Sequence, residues 1–333
     1  MKLRFSFIIP VYNRPEEIDD LLHSMLGMQD DHDFEVVIIE DGSSVTSQNI
    51  VETYKDRLNI TYYFKPNSGP GDSRNYGMQR ASGNYFIILD SDCSLPTGYL
   101  DSVIESLKLD YTDCFGGPDT SHVSFTSIQK AIDYSMTSWL TTGGIRGKKG
   151  SVDKFQPRSF NMGLSKEAFL ATGGFGKIHP GEDPDLTLRL WALGFKTKLI
   201  PEAAVFHRRR ISWEKFYIQV NKFGMARPIL NLWHPGSGKI TYWFPSLFLL
   251  GLIVSILFWC AGFNWFLGIY GIYGLLIFID SLMRTDSLVV ALYSVYATFI
   301  QFVGYGLGFA KSTFLITFSK KKPEILFPNL FFK

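Results

Sequence analysis

The 333-residue chain is longer than one ordinary domain and leaves room for a sizeable core with an appendage. Its 33 Lys and Arg against 31 Asp and Glu leave a formal charge of +2, so no global basic field points to nucleic acid as a partner. With 46% hydrophobic and 16% aromatic residues it is more apolar than a soluble enzyme needs, which excludes a disordered or collagen-like chain and implies a part that faces lipid. Cys93, Cys114 and Cys260 form no CxxC pair, so neither a disulfide framework nor a cysteine zinc site is expected, and a reducing cytosol fits.

Taken in order, FSFIIPV (Phe5 to Val11), FEVVIIE (Phe34 to Glu40), ITYYF (Ile60 to Phe64) and YFIILD (Tyr85 to Asp90) are near-continuous apolar runs. Strands buried on both faces read this way, so parallel strands are expected. Between them, PEEIDDLLHSML opens with Pro15 and acidic residues at the positive end of the helix dipole, and PGDSRNYGMQRA supplies a second helix. The alternation predicts a doubly wound, mostly parallel α/β sheet, whose ligands bind beyond the carboxyl ends of the strands. Met1 to Pro10 lacks the pattern of a secretory signal, which places this front domain, residues 1–207, in the cytoplasm.

Residues 208–240 hold Ser212 as a helix cap, then Trp213, Phe216, Tyr217, Val220 and Phe223 at helical spacing. Arg208, Arg209, Arg210, Lys215, Lys222 and Arg227 accompany them, the composition of a basic amphipathic helix at a lipid interface. Residues 241–333 carry only 6 Lys and Arg and 3 Asp and Glu, and contain apolar runs at Tyr242 to Phe263, Trp265 to Ile279 and Leu288 to Ala310. Each is near the ~20 residues that cross a bilayer, the middle one short, with Asp280, Arg284 and Asp286 as a polar break. Two to three transmembrane helices are expected, in a multi-pass protein of the cell (inner) membrane. Lys311 and Lys320 to Lys322 favour a cytoplasmic C-terminal tail, whereas three full spans would put it outside.

The residues just past each strand are polar: Tyr12, Asn13 and Arg14; Glu40, Asp41, Gly42 and Ser43; Asn67, Ser68 and Gly69; Asp90, Ser91 and Asp92. Each group alone is an ordinary turn, and the combination is the signal. Two carboxylates at i and i+2 past a strand offer hard oxygen ligands to Mn²⁺ or Mg²⁺, which neutralises a diphosphate leaving group. A fixed acceptor such as Asp41 suits the imide N–H of uracil. Neither a Walker A loop nor a GxGxxG after the first strand is present, so kinase and dehydrogenase chemistries fall away.

On the segments FSFIIPVYNRP, VVIIEDGSS, NSGPGDSRNYGMQRASGNYFIILDSDC and PGEDPDLTLRLWALGF, the sequence resembles family 2 glycosyltransferases over residues 5 to 207. These are inverting enzymes with an A-type nucleotide-sugar fold. The resemblance implies a nucleotide-sugar site formed by Pro10, Tyr12, Asn13, Asp41, Ser43, Asn67, Gly69, Arg74, Asn75, Asp90 and Ser91. It implies a metal held by Asp90 and Asp92, with His207, after the strand-like AAVF, as a third ligand; a plain surface histidine beside Arg208, Arg209 and Arg210 is the equal alternative for His207. Glu182 and Asp183 match the family's acidic motif; Asp183 is the expected base, since an attacking hydroxyl must lose its proton, with Glu182 as fallback. The other reading of these acids is decoration of a first helical turn. Gly173, Gly174 and Phe175 are placed to bring backbone near the donor sugar; Arg146, Lys148, Lys149 and Arg158 are candidates to contact an acceptor phosphate, although a solvated loop is the commoner reading of those four.

The family's processive synthases carry Gln-x-x-Arg-Trp, whereas Gln219 here is followed by Val220, Asn221, Lys222 and Phe223, so transfer of one sugar is expected. The implied partners are a nucleotide-sugar donor, a UDP sugar by preference, a membrane-associated saccharide or lipid acceptor such as a polyprenyl-linked glycan, and the bilayer itself, without nucleic acid. A polyprenyl-phosphate sugar synthase and a catalytically inactive membrane-anchored binding partner are the alternatives.

Overall fold

The computed structural model describes residues 2–29, 32–120, 125–143, 154–207 and 212–332. The basic side chains expected at Arg146, Lys148, Lys149 and Arg208 to Arg210 lie outside the described residues. In chain order the elements begin with β1 (Phe5–Val11), α1 (Pro15–Gln29), β2 (Phe34–Asp41), α2 (Gln48–Glu52), β3 (Ile60–Lys65), α3 (Pro70–Arg80) and β4 (Tyr85–Leu89). There follow β5 (Cys93–Ser94), α4 (Tyr99–Leu109), β6 (Cys114–Gly116), β7 (Asp119–Thr120), α5 (Ser127–Thr137), α6 (Trp139–Thr142), β8 (Asn161–Ser165) and α7 (Lys166–Thr172). The chain continues with α8 (Glu182–Ala192), β9 (Thr197–Leu199), β10 (Val205–His207), α9 (Trp213–Trp233), α10 (Phe244–Cys260), α11 (Trp265–Thr285), α12 (Leu288–Phe318) and α13 (Pro323–Leu326).

Two compact units result. The first comprises Met1–His122, Ser151–Arg208 and Phe331–Lys333; the second comprises Val123–Gly150 and Arg209–Leu330. The front domain expected over 1–207 therefore lends residues 123–150 to the second unit and gains the segment from Phe331.

In the first unit a seven-stranded sheet runs β3-β2-β1-β4-β8-β6-β9, with β1 to β4 parallel and β8 antiparallel to both neighbours. Parallel strands need both faces covered, which is why their sequences are apolar throughout. Phe7, Ile9 and Val11 of β1 meet Ile18, Leu22 and Met25 of α1 and Tyr99 of α4 on one face. On the other face Ile8 packs with Val37, Ile39, Met78, Phe169, Leu186 and Leu190. Register aligns Val11 with Glu40 and Asp41 with Lys65, so the loops after β1, β2 and β3 emerge side by side. A smaller sheet, β5-β10-β7, sits past β4 and sets His207 opposite Cys93, one residue from Asp92.

In the second unit α9 lies along α12. Gly224 faces Tyr305, Gly308 faces Asn221, and Asn221 and Ser312 tie the helices through Gly304 O at 2.9 Å and Met225 O at 2.7 Å. Ala131, Ile132 and Met136 of α5 join Phe216 and Val220 of α9 and Val290, Ala297 and Ile300 of α12 in one apolar cluster. The aromatic stripe expected to face lipid headgroups is thus divided: Phe216 and Val220 are core, while Tyr217 stays exposed. The apolar runs also differ from expectation. Asp280 and Arg284 do not break α11, because their pairing at 2.9 Å and the bond from Tyr134 to Asp280 at 2.6 Å satisfy them within a continuous helix of 21 residues. Among the described residues, three helices are long and apolar enough to cross a membrane.

Gly77 lets α3 sit close on the sheet; a Cβ there would lie 2.5 Å from Ile39 Cδ1 and 2.8 Å from Ile8 Cγ2. Gly77→Val is expected to destabilise the first unit by about 1–3 kcal/mol, the usual cost of overfilling a packed contact. The check is the denaturant midpoint of detergent-solubilised protein, and an unchanged midpoint would show that α3 lifts off without cost.

Candidate active site

The strand-end loops are fixed by two adjacent carboxylates at the end of β2. Glu40 is fully buried and accepts from Ser47 N at 2.8 Å, Ser47 Oγ at 2.6 Å, Tyr62 Oη at 3.1 Å and the Ser43 hydroxyl. Burial and the Glu40 charge push the Tyr62 phenol well above its ordinary range, so it stays a donor. Asp41 Oδ1 accepts from Lys65 Nζ at 2.6 Å and Ser68 N at 3.0 Å, and its Oδ2 from Gly69 N at 2.9 Å. Asn67 Nδ2 donates to Asp41 O at 2.9 Å. Asp41, expected to accept from a base, is 3% exposed and anchors the turn that starts α3.

Asn13 sits at φ 53 and braces two loops: its N–H donates to Ser43 Oγ at 2.8 Å, and its Oδ1 accepts from Ser44 N at 2.8 Å and Val45 N at 3.0 Å. Pro10 stays within β1, Ser91 is buried, and Tyr12 extends into solvent, 53% exposed beside these loops. Of the residues expected at the nucleotide site, the structure therefore offers Tyr12 as the open aromatic surface.

Behind them runs a chain of alternating charges. Arg74, on α3 and 3% exposed, donates Nη2 to Asp90 Oδ1 at 2.8 Å and Nη1 to Glu182 Oε1 at 3.2 Å. Burial alone would lower the guanidinium pKa, but Asp90 and Glu182 outweigh it and hold Arg74 above its ordinary value. Glu182 also meets His179 Nδ1 at 2.9 Å. Against the burial that would raise it, His179 and Arg74 hold Glu182 down at about 2. Asp183 behaves oppositely: burial and the neighbouring Glu182 raise its pKa above the usual aspartate value, with Arg158, 3.5 Å away, opposing. Arg158, expected near an acceptor phosphate, thus faces Asp183. Among the described residues, Arg74 Nε and Glu182 Oε2 find no hydrogen-bond partner although both are buried.

Asn75, expected to help hold the nucleotide, bonds to the backbone of Phe175. Its Nδ2 donates to Phe175 O and its Oδ1 accepts from Phe175 N, both at 2.8 Å, and any side chain at Gly174 (φ 78) would collide with it. Gly174 is needed for this close approach. Arg189 completes the loop, donating to Thr172 O and Gly174 O at 2.7 Å and pairing with Asp185 at 2.7 Å, so the third acid of the EDPD stretch is structural.

Asp90, a third exposed at its side chain, and Asp92, paired with Arg14, stand at the end of β4. The His207 backbone lies across from Cys93, and its side chain is outside the described residues. Among the described residues no cluster of three His, Cys, Asp or Glu side chains forms a ready metal cage. Asp90 and Asp92 are hard oxygen donors, each already facing a cation, and they fit an ion of the Mg²⁺ or Mn²⁺ kind whose remaining positions go to phosphate and water.

Sequence reasoning missed His179, the pairing of Arg14 with Asp92, and the part that Glu40, named only as a strand-end residue, plays in bracing the loop after β2. It also missed Phe331 and Phe332: Phe331 bridges Ile178, Phe332 N donates to Lys177 O at 3.3 Å, and the Phe332 ring lies on Gly69 and 5.7 Å from His179. No local pattern marks these residues, because their partners are far away in sequence.

Replacing Glu182 with Gln is expected to cost about 3 kcal/mol at neutral pH, the low end for breaking a buried pair because Arg74 keeps Asp90. A carboxylate with a lowered folded pKa stabilises above its unfolded value, so this advantage should fade as pH falls from 4.5 to about 2. Denaturant titrations of wild type and Glu182→Gln across that range, converging in acid, would bear this out.

Residues 6–169 match the family profile described as glycosyl transferase family 2. Staphylococcus aureus TarS, a poly(ribitol-phosphate) beta-N-acetylglucosaminyltransferase, is 39% identical over 94 residues, 27% of this chain and 16% of TarS. The crystal structure of TarS residues 1–349 with UDP-GlcNAc superposes with a TM-score of 0.51 at 19% identity, covering 93% of this chain and 91% of that one. The Pyrobaculum calidifontis mannosyltransferase PcManGT, solved with GDP-Man and Mn²⁺, gives 0.58 at 14% identity, covering 96% and 89%. A Campylobacter jejuni GalNAc(5)-diNAcBac-PP-undecaprenol beta-1,3-glucosyltransferase is 30% identical over 116 residues, 34% of this chain and 37% of that protein. The matched stretches span 13% to 39% of the curated relatives' lengths. The two superpositions show a shared fold, and the profile match over the strand-end loops shows the family. The domain over residues 6–169 belongs to glycosyl transferase family 2.

Proposed function

We propose that the protein transfers one sugar, with inversion, from a nucleotide diphosphate sugar to a membrane-associated acceptor, with Asp183 as the base. The observation that carries this reading is the place of Asp183. It opens α8 beside Glu182, whose carboxylate shares Arg74 with Asp90 at the end of β4. Base and leaving-group ends of a donor are thereby tied through one guanidinium.

In this reaction the acceptor oxygen attacks the anomeric carbon as its proton passes to Asp183. The bond from that carbon to the diphosphate oxygen breaks, and the nucleoside diphosphate leaves with the electron pair. A single displacement inverts the centre. Glu182, held ionised by His179 and Arg74, raises the proton affinity of its neighbour, which suits Asp183 to accept. Tyr12 offers a surface for the base, and the Asp41-anchored turn shapes the nucleotide side. When bound, a Mn²⁺ or Mg²⁺ ion on Asp90 and Asp92, with His207 nearby, supplies charge for the diphosphate; members of this fold are solved with Mn²⁺. UDP is the donor nucleotide we favour, on the strength of the UDP-GlcNAc complex of TarS. An acceptor in the membrane, such as a polyprenyl-linked glycan, is supported by the three apolar helices and by the undecaprenol-linked substrate named for the Campylobacter relative. The working location is the cell membrane with the first unit in the cytoplasm.

Asp183→Asn is expected to lower transfer by about 10²–10⁴-fold with donor affinity retained in calorimetry; full activity would remove Asp183 as the base and favour an acceptor that is already an ionised phosphate. Because the raised pKa must be exceeded for Asp183 to act, activity should fall on the acid side at a pH above that of an ordinary aspartate. Arg158→Ala removes the opposing cation and should move that limb to still higher pH in transfer assays. Chelation, or Asp90→Ala with Asp92→Ala, should abolish nucleotide release that added Mn²⁺ or Mg²⁺ otherwise supports.

A further inference from the structure

We propose that the chain crosses the membrane twice, by an α10–α11 hairpin alone, and that α12 lies at the bilayer surface although it is the longest apolar helix. The first constraint is parity. The first unit is built from chain before α9 and from Phe331 and Phe332 after α12, which touch Ile178, Lys177, Gly69 and His179. A folded unit occupies one side of a bilayer, so an even number of crossings separates Arg208 from Phe331. Three candidate spans cannot all cross.

Packing within the second unit identifies the one that does not. A third span would run parallel to α10, and the contact of Phe302 with Phe248 would then place Phe309 near Ser255. The order is reversed. Gly306 O accepts from Ser246 Oγ at 2.9 Å, and Phe309 packs on Trp243, 5.0 Å between rings, where the hairpin begins. Toward its own start α12 touches Ser281 through Ser294 at 2.8 Å, at the other end of the hairpin's open base. The helix therefore runs across the base. Its continuation lies on α9, which carries Glu214, Lys215, Lys222 and Arg227, charges that cost about 2.5–3.5 kcal/mol each at the centre of a bilayer.

Exposure agrees. Only 6% and 11% of the most apolar windows of the first two candidates are buried, against 44% for α12, so the hairpin presents lipid-facing sides. Each hairpin arm is 21 residues, about 31 Å of helix, which matches a hydrocarbon core of ~30 Å. Two crossings also set Lys320, Lys321 and Lys322 on the same side as the first unit, which removes the conflict between a basic tail and three spans.

The test is cysteine labelling of full-length protein in sealed vesicles of one orientation, using a membrane-impermeant maleimide. Native Cys260 reports the hairpin tip; Asp56→Cys and Glu324→Cys, each in a Cys260→Ser background, report the first unit and the segment after α12. All three positions are exposed, whereas Cys93 and Cys114 are buried. Asp56→Cys and Glu324→Cys should label from one face, and Cys260 from that face only after detergent. Glu324→Cys labelling with Cys260 would establish three spans and overturn the proposal, as would Cys260 labelling with Asp56→Cys. If Glu324→Cys does not accumulate, an Ile178→Cys/Phe331→Cys pair oxidised with copper phenanthroline in the same vesicles decides: a cross-link supports two crossings and its absence overturns them.

Discussion

The site depends on one buried cation. Arg74 lies between α3 and the sheet with almost no access to water, so its charge is tolerable only because Asp90 and Glu182 both reach it. Those carboxylates come from the end of β4 and the start of α8, which are 92 residues apart in sequence by their numbers, 90 and 182. The guanidinium thus fixes the separation of the two halves of the site, and any arrangement that lost one carboxylate would leave a poorly compensated charge in the interior. His179 and Phe332 extend the same logic outward: the imidazole holds Glu182, and the phenyl ring lies between that imidazole and the turn anchored by Asp41.

Two neighbouring acids gain opposite character from this arrangement. Glu182 has the His179 ring and the Arg74 guanidinium on it and remains ionised far into acid, whereas at Asp183 burial and the negative neighbour Glu182 outweigh Arg158 and Arg74 and raise it. Acids one residue apart at the start of a helix would look interchangeable in an extended chain. The difference arises from which way each side chain points once α8 docks, and it is the basis for separating a positioning carboxylate from a proton acceptor.

The loops that shape the nucleotide side obey a second constraint, the satisfaction of buried polar groups. Glu40 and Asp41 collect hydrogen bonds from the two loops after β2 and β3, and Asn13 and Asn75 each link two stretches of backbone. Several residues that resemblance assigns to ligand binding are therefore engaged with the chain itself. Rigid loops of this kind suit a site whose ligands must be held in line, since ordering costs are met in folding rather than in binding.

Much of this was legible in the sequence, for reasons that can be named. The first four strands and the helices opening at Pro15 and Pro70 follow from local periodicity, because a buried parallel strand has no polar face to display and a proline fits the first turn of a helix. Asp90, Asp92, Glu182 and Asp183 were recognisable because the chemistry of a strand end and a helix start is written in adjacent residues. The partners that give them their roles were not: Arg14 for Asp92, Arg158 for Asp183, Arg74 for Glu182. Nor could hydropathy tell a crossing helix from one lying across a hairpin, since both need apolar surface and differ only in what covers it. The chain alone decides where apolar and charged groups occur; only the tertiary structure decides which charges face each other and which apolar faces remain for lipid, because those depend on contacts between residues that no local pattern connects.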